Sequence, residues 1–277
     1  MRVIVTGAGG LVGGAIAKHF AATPLTHADL DITDAAAVRR VVGKLRPELI
    51  FNCAVLGVDQ CEQDPDAAHA INVDGPAALA DAAEKSGAAL VHFSSNYVFD
   101  GRERHVYTTE DPPDPVNVYG RTKLTGECAV FFRCSRPFVV RSSWIFGHGK
   151  QSSFVSTVHE RLRAGERVQA VSDVWASVTY VKDLVEGVAQ LIENGKYGLF
   201  HLVNEGVVSY ESFGQEAARL IGADERLIEP VHTRDVHKAR RPRHTPMRSS
   251  IPLRDWRQAL DEHIHSVHDG EDELRAG

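Results

Sequence analysis

The sequence predicts an α/β chain: a doubly wound parallel sheet with helices on both faces and a small, mostly helical C-terminal lobe. Three observations carry this. The runs RVIVTGA, ELIFNCAV, ALVHFSS and PFVVRSSWIF are rich in β-branched residues and apolar on both faces, as strands buried between two layers are. Segments of helical period separate them. The length, 277 residues, suits one large domain with a smaller lobe.

The elements follow in order. RVIVTGA (2–8) is the first strand and VGGAIAKHFAA (12–22) the first helix. A short strand is expected at PLTHADL (24–30), then a helix over AAAVRRVVGKL (35–45) with Thr33 or Asp34 as its N-cap. ELIFNCAV (48–55) is the next clear strand, and DAAHAINVDGPAALADAAEKSG (66–87) is helical with an interruption around Gly75-Pro76. ALVHFSS (89–95) and PFVVRSSWIF (137–146) are strands, and crossovers between them are expected to be right-handed. After about residue 150 the texture changes: a helix at 152–165, a short strand VQAVSD (168–173), a helix at 178–194 that returns to the sheet, and a strand GLFHLVN (198–204). SYESFGQEAARLIG (209–222) through RDWRQALDEHI (254–264) forms the lobe. This assigns 1–150 and 174–206 to the sheet domain, and 151–173 and 207–277 to the lobe.

Composition narrows the class. Hydrophobic content of 43% and charged content of 25% are those of a soluble globular protein. A net charge of −6 without a long basic run argues against nucleic acid, and RRPRH around residue 241 is short for such a patch. Cys53, Cys61, Cys128 and Cys134 form no C-x-x-C pair, which reads as reduced thiols in a cytoplasm. No signal peptide and no membrane-length apolar run are seen, so no membrane partner is expected. HIH at 263–265 has no second ligand pair at metal spacing; it reads as part of a polar tail, with HDGEDELRAG loosely held, and no metal is expected.

TGAGGLVGGAI follows the first strand and opens a helix, with glycines at 7, 10 and 13. Gly7 permits the tight turn, Gly10 lets a diphosphate approach the backbone, and Gly13 lets the helix pack closely on the sheet. The helix N-terminus offers free N–H groups to phosphates. This position, strand before and helix after, marks the nucleotide turn of a Rossmann sheet; a glycine-rich turn without ligand is the plainer alternative. An acidic residue about 20 positions on would hold an NAD ribose. His27 lies near that place, followed by Asp29 and Asp31, a pattern that leans to NADPH and leaves NADH open.

VYGRTKLTGE sets Tyr119 and Lys123 four residues apart, on one face of a helix begun by PPDPVN. A phenol ionises near ~10, and a nearby ammonium favours the phenolate, so such a pair exchanges protons with a carbonyl oxygen near neutral pH. ALVHFSS ends at Ser94 and Ser95, where a parallel sheet has its ligand crevice. Ser95 can donate to the oxygen that Tyr119 protonates; capping of the strand end is its bland role. Tyr97 and Tyr107 have no lysine four residues on and read as packing or lining residues.

These residues resemble the extended short-chain dehydrogenase/reductases and, within them, the dTDP-4-dehydrorhamnose reductase group. The likeness covers nearly the whole chain: VTGAGGLVG, DLDITDAAAV with LRPELIFNCA, INVDGPAALADAA, NYVFDG, PVNVYGRTKLTGE, VVRSSWIFG and ARRP. It implies NADPH, with NADH as alternative, on the first domain, and a nucleotide-diphosphate 4-keto-6-deoxysugar under the lobe. It puts the catalytic set on Ser95, Tyr119 and Lys123, and cofactor contacts on Gly10, Leu11, Val12, Asp31, Ile32, Cys53, Ala54, Val55 and Ser94. Lys123 is implied to lower the Tyr119 pKa and bond the nicotinamide ribose. Trp144 is implied beside the substrate, and Arg241 at its diphosphate; core packing and surface charge are their plain alternatives. A homodimer is a family-level expectation. Asn96 stands where the family commonly has a carboxylate near the sugar hydroxyls, and Leu56-Gly57 where it often has Tyr-Thr. Both bear on which sugar is taken. An NAD-retaining epimerase or dehydratase, and a non-catalytic nucleotide-binding subunit, are the competing readings.

Overall fold

The computed structural model describes residues 1–148 and 153–275, with side chains described through residue 266. Six parallel strands form the central sheet: β1 (Val3–Thr6), β2 (Thr23–Leu25), β3 (Leu49–Asn52), β4 (Ala89–Ser95), β5 (Pro137–Ser142) and a last strand, Gly198–His201. Their order is Gly198–His201, β5, β4, β3, β1, β2. The chain leaves β1 toward one edge and later places β3 on its other side. The crevice over the carboxyl ends of β1 and β3 is therefore the topological switch point, where such sheets bind ligands.

Helices cover both faces. α1 (Leu11–His19) and Val181–Asn194 bury Leu11, Ile16, Leu184 and Val188 against Val3, Val5, Phe51, Val91 and Phe138. α2 (Ala35–Leu45) covers the other face, with Val38 and Val42 against Ile4, Ile50 and Leu90. After β3 come α3 (Val58–Gln63), α4 (Pro65–His69), α5 (Gly75–Ser86) and, beyond β4, α6 (Val118–Arg133). Each fully buried Val, Leu, Ile or Phe contributes about 1.5–3 kcal/mol. This is why strands apolar on both faces choose the middle layer. Among the described residues no helix is long and apolar enough to cross a membrane.

The lobe carries Phe154–Arg163, Tyr210–Ile221 and the C-terminal helix Trp256–Arg275. Short strands that the sequence did not reveal lie outside the central sheet: Ile228–Val231, paired with the expected strand Val168–Val171, and Trp175–Ala176, from the span assigned to the sheet domain, between Val208–Ser209 and His244–Thr245. Phe213, Ala217, Trp256 and Leu260 belong to the same core cluster as Val3 and Val5. The lobe thus rests directly on the sheet's own core.

Several expected elements are corrected. The strand at PLTHADL ends at Leu25, because Asp29 folds back to accept from Thr26 N and Oγ1 at 2.9 and 2.7 Å and makes a turn. PFVVRSSWIF is two strands: Trp144, at φ 37°, redirects the chain, and Ile145–Phe146 pairs instead with Thr179–Tyr180. The break at Gly75-Pro76 is a π-helical turn, Ala70–Asp74, with Gly75 N–H bonded to Ala70 O. Of the two candidate caps for α2, Asp34 is the one used, its Oδ1 accepting from Ala36 N and Ala37 N at 2.8 and 3.0 Å. HIH is no polar tail: His263 is buried in the C-terminal helix, its ring 5.5 Å from that of Phe146. Residues 276–277, and the side chains of the tail expected to be loose, lie outside the described residues.

Candidate active site

The glycine turn is built as its spacing requires. Gly7 has φ +69°, and a Cβ there would stand 2.6 Å from backbone atoms of Cys53 and Ala54. The turn therefore lies directly against the end of β3. A Cβ on Gly13 would meet Gly7 O at 2.2 Å, so α1 closes on the turn with no side chain between them. Gly10 differs: a Cβ would find Gly7 O at 3.5 Å, ordinary contact. Space, not backbone strain, is what glycine leaves there. Gly10 is the N-cap of α1 and provides no side-chain cap, so the first N–H groups, from Leu11 and Val12 onward, remain available to an anion.

Beside the turn, His27 is exposed. Asp31 accepts from Thr33 N and Oγ1 at 2.9 and 2.8 Å, and these bonds hold its carboxyl below the usual range. Ile32 is core, against Gly75, rather than surface. Cys53 and Ala54 are partly buried and Val55 is half exposed where β3 opens onto the crevice. Burial pushes the Cys53 thiol up, against the pull of Lys123. Under this rim lies a polar floor the sequence did not show. Thr6 Oγ1 donates to Asn52 Oδ1 at 3.0 Å, and Asn52 Nδ2 to His92 Nδ1 at 3.1 Å. That assigns His92 the tautomer with its proton on Nε2.

The catalytic candidates converge at the end of β4. α6 starts at Asn117, whose Oδ1 accepts from Gly120 N at 2.8 Å, while Glu62 accepts from Val118 N at 3.1 Å and faces the positive end of the helix. A Cβ on Gly120 would lie 2.1 Å from Tyr97 O. Glycine thus lets the first turn of α6 touch the turn after Ser95, which brings the Tyr119 phenol toward the Ser95 hydroxyl. One turn later Lys123, 2% exposed, donates from Nζ to Phe93 O at 2.5 Å. Ser94, also buried, has an unpartnered hydroxyl.

Burial dominates the electrostatics. Tyr119 is pushed up to about 12 by burial, opposed by the nearby Ser95 hydroxyl and by the Arg241 charge. Lys123 is lowered to about 8 by burial, with Glu127 opposing. Glu127 is itself engaged by Arg141, through bonds of 2.9 and 2.6 Å. The expected lowering of Tyr119 by Lys123 is corrected accordingly: the ammonium is directed to Phe93 O, and the cation acting on the phenol is Arg241.

Trp144, expected beside the substrate, stacks on Tyr210 with ring centroids 3.8 Å apart. Its indole N–H lies toward the Tyr97 hydroxyl but short of hydrogen-bond geometry. A cavity of about 750 Å³ opens beside this pair, lined by Phe154, Val171, Val231 and Arg161 among others. The Arg241 side chain is 8% exposed; its Nη2 donates to Asp59 Oδ2 at 2.8 Å, and its guanidinium lies 5.8 Å from the Tyr97 ring centre. Its Nη1 is buried without a partner, a donor set ready for an anion. Asn96 departs from expectation. It is 1% exposed, accepts from Ser95 Oγ at 3.1 Å and donates to Thr245 Oγ1 at 2.7 Å. Its amide braces Ser95 from inside instead of facing a sugar. Asp59, Tyr210 and Thr245 were missed, because no local pattern marks residues that meet only through the fold.

The chain was compared with known proteins. The family model described as RmlD substrate binding domain matches residues 1–268. A dTDP-4-dehydrorhamnose reductase of Mycolicibacterium smegmatis is 38% identical over 96% of this chain and 86% of its own length. A dTDP-4-keto-6-deoxy-D-glucose reductase of Streptomyces niveus is 34% identical over 94% of this chain and 95% of its own. The crystal structure of dTDP-4-dehydrorhamnose reductase from Bacillus anthracis in complex with NADP superposes with a TM-score of 0.91 at 31% identity, covering 96% of this chain and 99% of that one. With this match over residues 1–268 and relatives of this identity and coverage, the chain belongs to the RmlD substrate-binding-domain family.

Proposed function

We propose that the protein is an NADPH-dependent reductase of a nucleotide-diphosphate 4-keto-6-deoxysugar, dTDP-4-dehydrorhamnose or a related one. The observation that carries this is the approach of Tyr119 to the Ser95 hydroxyl, with Lys123 buried one helical turn away and the glycine turn beside them at the switch point. Relatives named as dTDP-sugar reductases, and one solved with NADP, support it. The residues present fit a dinucleotide: room at Gly10, uncapped N–H groups on α1, and the exposed His27 just past the end of β2, where the Asp29 carboxylate is taken up by Thr26 N and Oγ1. The relative solved with NADP favours the 2′-phosphate form.

When bound, the nicotinamide supplies the hydride for the sugar carbonyl. Ser95 Oγ–H turns from Asn96 to the carbonyl oxygen and polarises it. Tyr119, protonated at neutral pH because burial holds its value high, gives its proton to the nascent alkoxide. Arg241 offsets the phenolate charge that remains. Arg241 Nη1 meets the substrate diphosphate, and the aromatic and aliphatic walls beside Trp144 take the nucleoside. The free thiols fit a cytoplasmic setting.

The test is incubation with NADPH or NADH and a panel of nucleotide-diphosphate 4-keto sugars. Stoichiometric oxidation of cofactor with reduction of sugar supports the reading. Isomerised sugar without net oxidation overturns it in favour of an epimerase.

A further inference from the structure

The segment between Val236 and His244 carries Arg241 and contains neither helix nor strand. Two side chains, from α3 and from the start of α6, hold three of its consecutive residues. Asp59 Oδ1 accepts from Ala239 N at 2.9 Å, and Asp59 Oδ2 from Arg241 Nη2 at 2.8 Å. Asn117 Nδ2 donates to Arg240 O at 2.8 Å, across 123 positions. The two holders are also tied to each other. Glu62, one turn on from Asp59 in α3, accepts from Val118 N, the residue after Asn117, at 3.1 Å. The start of α6, α3 and the Arg241 segment thus close into one frame.

Asn117 is 1% exposed and uses both ends of its amide in this frame. Its Oδ1 caps α6 by accepting from Gly120 N at 2.8 Å. Capping alone asks only for an acceptor, which Asp, Ser or Thr would also supply. What an amide adds is a donor on the same side chain, and that donor goes to the residue beside Arg241. A side chain that merely satisfied a buried carbonyl could come from any neighbouring element. This one stands two residues before Tyr119, on the helix that carries the acid. Asp59 completes the hold by taking the guanidinium at Nη2, while Nη1 has no partner.

We infer that Asn117 is a positioning residue: together with Asp59, it holds Arg241 ready for the substrate diphosphate and ties that grip to the helix of the acid. The inference rests on the proposed reduction of a nucleotide-diphosphate sugar. Without the tether, the substrate itself would have to order an irregular segment, and its affinity would fall by the entropy lost in doing so.

The test uses Asn117→Asp and Asn117→Ser in the full chain. Both keep an N-cap acceptor for Gly120 N, and both lose the amide donor to Arg240 O. Calorimetric titrations with dTDP and, separately, with NADPH are run on the wild type, on both variants, and on each variant combined with Arg241→Gln. Three results together support the role. The affinity for dTDP falls about tenfold in both single variants. The affinity for NADPH stays at the wild-type level. Neither Asn117 replacement costs anything further once Arg241→Gln is present, because the two act through one contact. Wild-type affinity for dTDP in either single variant overturns the role. So does a parallel loss of NADPH affinity, which marks damage to the fold. The same tenfold loss on top of Arg241→Gln also overturns it, since the effect then bypasses Arg241. A wild type that binds no dTDP overturns the diphosphate reading of Arg241 and this role together, whereas the other failures leave that reading standing.

Discussion

Asn96 Nδ2 donates to Thr245 Oγ1 at 2.7 Å and joins the end of β4 to a strand 149 positions further on. The same amide accepts from Ser95 Oγ at 3.1 Å. An amide suits this place because it offers an acceptor to one neighbour and a donor to the other. Thr245→Val leaves a buried N–H without a partner, at a cost of about 1–3 kcal/mol. The loss should appear as a lowered urea midpoint together with a lowered kcat, because Ser95 loses its brace. Thr245→Ser, which keeps the hydroxyl, should lie near the wild type in both. Val and Ser variants of equal stability and rate would show that the bond has no such role.

Tyr119→Phe removes the proton donor and leaves the ring that packs at right angles to Tyr97, with centroids 5.8 Å apart. The expected result is a fall in kcat of about 10²–10⁴-fold with KM little changed. Ser95→Ala should also lower kcat, and in addition strip Tyr97 N of the oxygen it bonds at 3.2 Å. Steady-state kinetics with NADPH and a 4-keto sugar nucleotide separate the two effects. Unimpaired turnover by Tyr119→Phe would remove it as the acid.

What the sequence made legible was local. The span of α2, Ala35–Leu45, follows from period and cap, and the glycine turn and the Tyr119/Lys123 spacing follow from one strand and one helix each. The bend at Trp144 was not legible, because apolar character continues through it while the hydrogen-bond partner changes to Thr179–Tyr180. Nor was the burial of His263, whose polar neighbours in sequence hide a helical face turned to the core. Arg241 was picked out, but not Asp59, which holds it from 182 positions away. Long-range pairs of this kind leave no mark in any window of sequence. The electrostatics of Tyr119 were misjudged for a related reason: spacing alone does not say where an ammonium points.

The glycines of the turn separate stability from binding. Gly7→Ala forces a left-handed φ on alanine and drives its Cβ into the backbone at Cys53 and Ala54. A loss of at least about 2 kcal/mol is expected. Gly10→Ala meets no such obstacle, and about 1 kcal/mol or less is expected for the altered N-cap. Its Cβ stands in the space assigned to the diphosphate, so NADPH affinity should fall while the fold holds. Urea denaturation and NADPH fluorescence titration on both variants give the comparison. Unchanged NADPH affinity in Gly10→Ala would place the cofactor elsewhere.

Buried histidines lower stability in acid, His263 and His201 among them. Burial, with nearby positive groups, holds His263 at about 3 and His201 at about 4. In the unfolded chain both titrate near the ordinary value of about 6.5. Between the folded values and about 6.5 the unfolded chain binds protons that the native chain does not, so stability falls as pH drops below about 6.5. Above that pH neither group contributes to a slope. By pH ~5 each removes about 2 kcal/mol. His263→Phe keeps a ring against Phe146 and Tyr180, at centroid distances of 5.5 and 5.8 Å in the wild type, but cannot take up a proton. Its unfolding free energy, measured in urea from pH 8 to 5, should decline less steeply than that of the wild type, with the two slopes converging above about 6.5. Parallel curves across the whole range would mean that His263 already accepts a proton in the native protein, and that the acid sensitivity arises at other groups.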